Sequence, residues 1–95
     1  MGQTKSQVEI KFLSTFFNLA KKETITVDVP EGADLNFAIG AIEAKLGHEV
    51  AAHIREHLDY VVIAINNVDC KQLNGLETKI KDGDRIVIGH VIAGG

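Results

Sequence analysis

The sequence predicts an α+β fold, a mixed sheet of four to five strands packed on one main helix, and three observations carry that expectation. Residues 8–13 and 24–29 alternate apolar and polar side chains with the period of two that a half-buried strand requires. Residues 35–46 change to a period of 3.6, with Leu35, Ile39, Ile42 and Leu46 falling on one face of a helix. Two further runs rich in β-branched residues, 61–65 and 86–88, follow that helix. Strands first, then a helix, then strands again make a layer of helix on sheet.

In the first strand Val8, Ile10 and Phe12 alternate with Glu9 and Lys11. The connection over residues 14–23 carries Phe16, Phe17 and Leu19, and is expected to fold back over one end of the core. Ile25, Val27 and Val29 then alternate against Thr26 and Asp28, a second strand expected to pair antiparallel with the first. Pro30-Glu31-Gly32 ends it. Asp34 stands where a helix N-cap accepts hydrogen bonds from otherwise unpaired backbone N–H groups, and Gly47 stands at the stop. Gly40 inside the helix costs about 1 kcal/mol relative to alanine, so something is expected to pack closely against it.

Val50, Ile54 and Leu58, spaced by four, predict a second, shorter helix over 48–58. Residues 61–65 suit a central strand covered on both faces, and Asn66-Asn67 supplies turn chemistry after it. A short strand is expected near 69–72. Lys81-Asp82-Gly83-Asp84 is a turn signal directly before Ile86-Val87-Ile88, so the last strand begins there. Strand, strand, helix, strand, strand is the β-grasp order.

A chain of 95 residues with 45% hydrophobic and 24% charged content has room for one domain. Its expected extent is 8–89, between a flexible segment 1–7 and a flexible tail 90–95. Ten basic against thirteen acidic residues, without a basic block, give no footprint for nucleic acid. The longest apolar run, 60–65, falls far short of the roughly 20 residues of a membrane span. One cysteine, Cys70, excludes an internal disulfide and any site needing several thiolates, and points to a reducing, cytoplasmic location. No nucleophile, base and oxyanion set can be assembled, so the protein is expected not to be an enzyme by itself.

After Ile92 nothing larger than a methyl group is carried: Ala93, Gly94 and Gly95 follow. Six extended residues from His90 reach on the order of 20 Å at about 3.3–3.6 Å each, enough to enter a partner's active site while the domain stays outside. Glycine tolerates backbone angles closed to other residues, and no side chain obstructs a narrow channel. Two glycines at one fixed place arise by chance roughly once in 200 chains, so the pair gains its weight from the strand and turn before it. The ionised carboxylate of Gly95 is a poor electrophile, and acyl chemistry there requires activation, for which ATP is the obvious reagent.

His53 and His57, four apart, would share a helix face as metal ligands do, yet with no third ligand near in sequence they read as residues of a partly solvated helix, and no metal is assigned. Cys70 reads as structural rather than as a persulfide relay, since Lys71 alone is near to lower its pKa. His90 precedes the tail and is free to touch a partner. Met1-Gly2 with Ser6 satisfies the permissive N-myristoylation pattern, which keeps a lipid-tethered binding module open as an alternative.

Over residues 8–95 the sequence resembles the ThiS/MoaD family of prokaryotic sulfur carriers. The resemblance rests on residues 8–13 followed by Leu19-Ala20-Lys21-Lys22-Glu23, on Val29-Pro30-Glu31-Gly32-Ala33 before the helix, and on Lys81-Asp82-Gly83-Asp84 with Gly94-Gly95. It implies a ubiquitin-like β-grasp fold. It implies further that an adenylating enzyme of the ubiquitin-activating type uses ATP on Gly95, and that a sulfur-transfer enzyme makes the thiocarboxylate. No cofactor stays bound. Gly94 and Ala93 would be needed for passage into the active site. The sulfur would serve molybdopterin or thiamine-thiazole synthesis or tRNA thiolation, in the first case beside a larger synthase subunit. Molybdopterin-type members usually carry Pro-Pro where this chain has Gly89-His90-Val91-Ile92-Ala93, and the Val-Ile-Ala-Gly-Gly ending looks more like the thiazole carriers, which are usually shorter. The same activated glycine would alternatively be joined to lysines of target proteins. An activating enzyme must also grip the domain, and Ile88, Val91 and Ile92, with Leu13, are the expected contacts; ordinary core packing is the alternative, and for Ile88 the two readings stand level.

Overall fold

A computed structural model describes residues 5–90, with all their side chains but those of Ser14, Thr15 and Phe17. The first two strands pair as their alternation requires: β1 (Lys5–Phe12) runs antiparallel to β2 (Thr24–Pro30), with Val8 opposite Val27 and Ile10 opposite Ile25. β1 starts earlier than the sequence led us to expect. Residues 5–7 pair with 28–30 and Ser6 is buried, so they belong to the sheet and not to a flexible leader. Residues 1–4 lie outside the described residues.

The connection after β1 forms a short helix, α1 (Ser14–Ala20), which sets Phe16 wholly into the core at one end of the sheet. The main helix, α2 (Leu35–Leu46), has the predicted N-cap: the carboxylate of Asp34 accepts from the N–H of Phe37 at 3.0 Å. Leu35, Ala38, Ile39 and Ile42 are its buried stripe, and the N–H of Gly47 closes it on the carbonyl of Glu43 at 2.8 Å. α3 (His48–Glu56) follows directly and buries Val50, Ala51 and Ile54. It is the second, shorter helix expected over 48–58, ending at Glu56, so the layer over the sheet holds α1 and α3 beside the main helix.

Gly40 has nothing within 4 Å of where a β-carbon would stand, so the close packing expected there is absent. Its helical backbone and open surroundings make Gly40→Ala a gain, by about 0.4–1 kcal/mol, through the reduced entropy of the unfolded chain. A denaturant titration should show the midpoint rising with the slope unchanged.

β3 (Val61–Ile65), β4 (Val68–Asp69) and β5 (Arg85–His90) complete a five-stranded sheet in the order β2-β1-β5-β3-β4. Asn66 and Asn67 both hold positive φ, 51° and 72°, and join β3 to β4 by the two-residue turn whose twist suits a hairpin. The short strand is Val68–Asp69, earlier than expected, because the chain coils at Cys70–Gln72 into a 3-10 turn capped by the Asp69 carboxylate on the N–H of Lys71. β3 is covered on one face only. Val61, Ile63 and Ile65 are buried while Val62 and Ala64 are half-exposed, so its β-branched run reflects its place in the sheet and not burial on both sides.

β5 lies in the centre, parallel to β1 (Ile10 opposite Ile86) and antiparallel to β3 (Ile63 opposite Ile88). The Lys81-Asp82-Gly83-Asp84 turn fixes that register. The N–H of Gln7 donates to Asp82 Oδ1 at 2.7 Å, the N–H of Gly83 to the carbonyl of Gln7 at 2.9 Å, and the N–H of Glu9 to the carbonyl of Asp84 at 3.1 Å. Gly83 is at φ 85°, a region closed to most side chains, and Asp84 ties the turn to the hairpin by accepting from Asn66 Nδ2 at 2.9 Å. Parallel strands have no tight turn to align them, and these bonds perform that office. Among the described residues no buried side-chain nitrogen or oxygen lacks a hydrogen-bond partner.

Candidate functional site

The pairing just described carries β5 through the middle of the sheet to His90, the last described residue. The N–H of Leu13 donates to the carbonyl of Ile88 at 2.9 Å, extending the contact with β1 to the last residues of β5. Leu13 then lies over Gly89, where a β-carbon would stand 3.3 Å from that of Leu13. Gly89 is buried beneath a leucine that is itself 41% exposed.

Two surfaces meet at this end. On the open face of the sheet Val87 stands beside Ala64 and Lys11, and Gly89 beside Val62, so Leu13, Val62, Ala64 and Val87 make an apolar strip next to the end of β5. Glu9 and Arg85, 3.4 Å apart, border it. On the covered face His90 turns inward against Phe16, ring centroids 4.7 Å apart and stacked, and meets His53 of α3. His57 and Tyr60 continue the row of rings outward.

The expected site residues fall into three groups. Gly95, Gly94, Ala93, Ile92 and Val91 lie outside the described residues. Leu13 is at the surface beside the last described residues of β5. Ile88 is not: at 1% exposure it is part of the core, because Ile86 and Ile88 share the inward face and alternation leaves Val87 outward. The burial agrees with the core-packing alternative for Ile88, and the outward residue of the run 86–88 is Val87, as its period of two signals. His90 belongs to β5, paired with Val61, and not to the tail. Sequence reasoning also missed the meeting of His53 with His90, since nothing local links positions 37 apart. Among the described residues no three or more His, Cys, Asp or Glu side chains are grouped to hold a metal.

Cys70 is buried, and that burial first, then Asp69, push its thiol pKa up against the pull of Lys71. It is a thiol and not a reactive thiolate at neutral pH. None of the helices among the described residues is long and apolar enough to cross a membrane.

A five-stranded mixed sheet in the order β2-β1-β5-β3-β4 with helices packed on one face defines a ubiquitin-like β-grasp protein. The chain belongs to the ThiS family, whose profile matches residues 10–95. No curated protein matches it. Among solved structures it is similar to the HVO 2177 protein of Haloferax volcanii (22% identity, 96% of this chain and 88% of that one, TM-score 0.75). It is similar also to SAMP1 from the same organism (18% identity, 95% and 100%, TM-score 0.74). A third likeness is to the BexX/CysO complex of Amycolatopsis orientalis (22% identity, 93% and 99%, TM-score 0.75). At these identities the likeness shows the ubiquitin-like fold.

Proposed function

We propose that this protein is a sulfur carrier whose Gly95 carboxylate is adenylated by an enzyme of the ubiquitin-activating type and converted to a thiocarboxylate. The observation that carries the reading is a family match that extends to residue 95 and so takes in the Ala93-Gly94-Gly95 end. The carboxylate oxygen attacks the α-phosphorus of ATP, pyrophosphate leaves, and the resulting acyl-adenylate is a mixed anhydride open to a sulfur nucleophile. AMP leaves as sulfur enters. A thiocarboxylate is a softer and better nucleophile than a carboxylate and passes sulfur to an electrophilic carbon, in molybdopterin or thiazole assembly or in tRNA thiolation. ATP is consumed on the partner and no cofactor stays with the carrier. That a CysO protein is found in complex with BexX supports partner enzymes that act on such carriers, among them a sulfur-transfer enzyme or a larger synthase subunit.

The exposed strip is the surface such an enzyme grips. Leu13→Asp and Val87→Asp should each raise KM for activation about tenfold or more, the loss of roughly 1.4 kcal/mol expected of an apolar interface contact, with circular dichroism unchanged. Ile88→Asp should instead unfold the domain.

A second reading has its own support: one similar structure is a small archaeal modifier protein 1, a name that fits the joining of the activated glycine to lysines. Intact mass of protein made with its native activating enzyme separates the two readings. Replacement of one oxygen by sulfur supports the carrier; Gly95 in isopeptide linkage, with no thiocarboxylate under sulfur-replete conditions, supports the modifier.

A further inference from the structure

His53 Nε2 stands 2.9 Å from His90 Nε2, while the ring centroids are 5.1 Å apart with their planes at 87°. The rings therefore meet nitrogen to nitrogen. Nitrogens at that distance are hydrogen-bonded when one bears a proton and the other offers its lone pair. The surroundings hold both rings in place. Phe16 of α1 stacks on His90 and presents an edge contact to His53 at 5.4 Å. His57 packs 4.4 Å from His53 and donates from Nδ1 to the carbonyl of His53 at 3.0 Å, closing the end of α3, with Tyr60 6.5 Å beyond.

We propose that His53 is a positioning residue for the last described residues of β5: by sharing one proton with His90 it fastens residues 89–90 to α3. Its use in presenting Gly95 rests on the carrier reading above; the fastening itself does not.

The bond is sensitive to pH because two protonated rings would set N–H against N–H. Of the groups facing His53, His57 on α3 and His90 on β5 oppose its charge, while Glu56 on α3 favours it. Burial opposes it most, so the pKa lies below the ordinary 6.5. The sign follows from linkage. The folded protein takes up this proton less readily than the unfolded chain, so the contribution to stability is present above about pH 6.5 and is lost as pH falls through the depressed value.

The test uses the full chain labelled with nitrogen-15. Near pH 7.5 imidazole correlation spectra should show one Nε2 of the pair protonated and the other bare, with the amides of residues 89 and 90 as rigid as the rest of the sheet. As pH falls and His53 takes up its proton, the shared hydrogen bond should be lost and the heteronuclear NOE at residues 89–90 should fall. His90→Phe, which keeps the stack on Phe16, should lose that step while the sheet stays folded. With the activating enzyme, His53→Phe should raise KM about tenfold with kcat within about twofold, and His53→Gln, whose amide still donates to His90, should recover part of the loss. Protonation of His53 with no change at residues 89–90 overturns the proposal, as does a pH step that persists in His90→Phe. Zinc that shifts both rings at neutral pH also overturns it, since a metal would then take the proton's place. If the NMR steps occur and wild-type protein is never adenylated, the carrier reading fails and the fastening stands.

Discussion

Deleting Gly94 and Gly95 should abolish thiocarboxylate formation altogether while the domain keeps its fold. The core of the described residues runs from Val8 to Ile88, and their strand pairings, up to His90 with Val61, involve neither glycine. Neither glycine has a side chain to contribute to that core, so the change in stability should stay within about 0.5 kcal/mol, as for surface positions in general. Activation is another matter. The reacting carboxylate is moved two residues, roughly 7 Å of extended chain, and oriented acyl chemistry tolerates far less displacement than that. Gly94→Val tests the channel alone, because it keeps the length and adds a β-branched side chain. Intact mass after co-expression with the activating enzyme is the measurement for both, and a truncated protein that still acquires sulfur would refute the mechanism.

Ile10→Ala should be among the most destabilising single changes. Ile10 is fully buried on β1, with Ile25 opposite on β2 and Ile86 on β5, so its removal opens a cavity between two strand pairings at once. Such deletions cost about 2–5 kcal/mol, a large part of the about 5–15 kcal/mol that holds a domain folded. In a domain of this size each kcal/mol lowers the melting temperature by about 4–8 °C, so a fall of at least about 8 °C is expected. Lys11→Ala, one residue along on the open face, should cost no more than about 0.5 kcal/mol. Equal losses at the two positions, read by calorimetry, would mean that the face assignment of β1 is wrong.

The parts of the fold legible in the sequence are those whose signal is local. Val8, Ile10 and Phe12 declare the inward face of β1 because side chains alternate along any strand. Asp34 and Gly47 mark the ends of α2 because unpaired N–H and C=O groups at helix termini need partners that only certain residues supply. Reading failed where a partner elsewhere in the chain decides. Residues 5–7 are strand because β2 is long enough to pair with them, and Gly40 lies open because no element comes near it. Between the two readings of Ile88, core packing and partner contact, the parity of the run 86–88 already favoured the core.

By itself the sequence determined the β-grasp order of elements, the family, and the presence of a bare Ala93-Gly94-Gly95 end, since period, capping and turn residues act over a few positions. Only the tertiary structure decided that Leu13, Val62, Ala64 and Val87 lie side by side on the open face and that His53 reaches His90. Those placements depend on a parallel register set by bonds between Gln7 and residues 82–83, and contacts closed over so long a stretch of chain leave no periodic trace in the residues that make them.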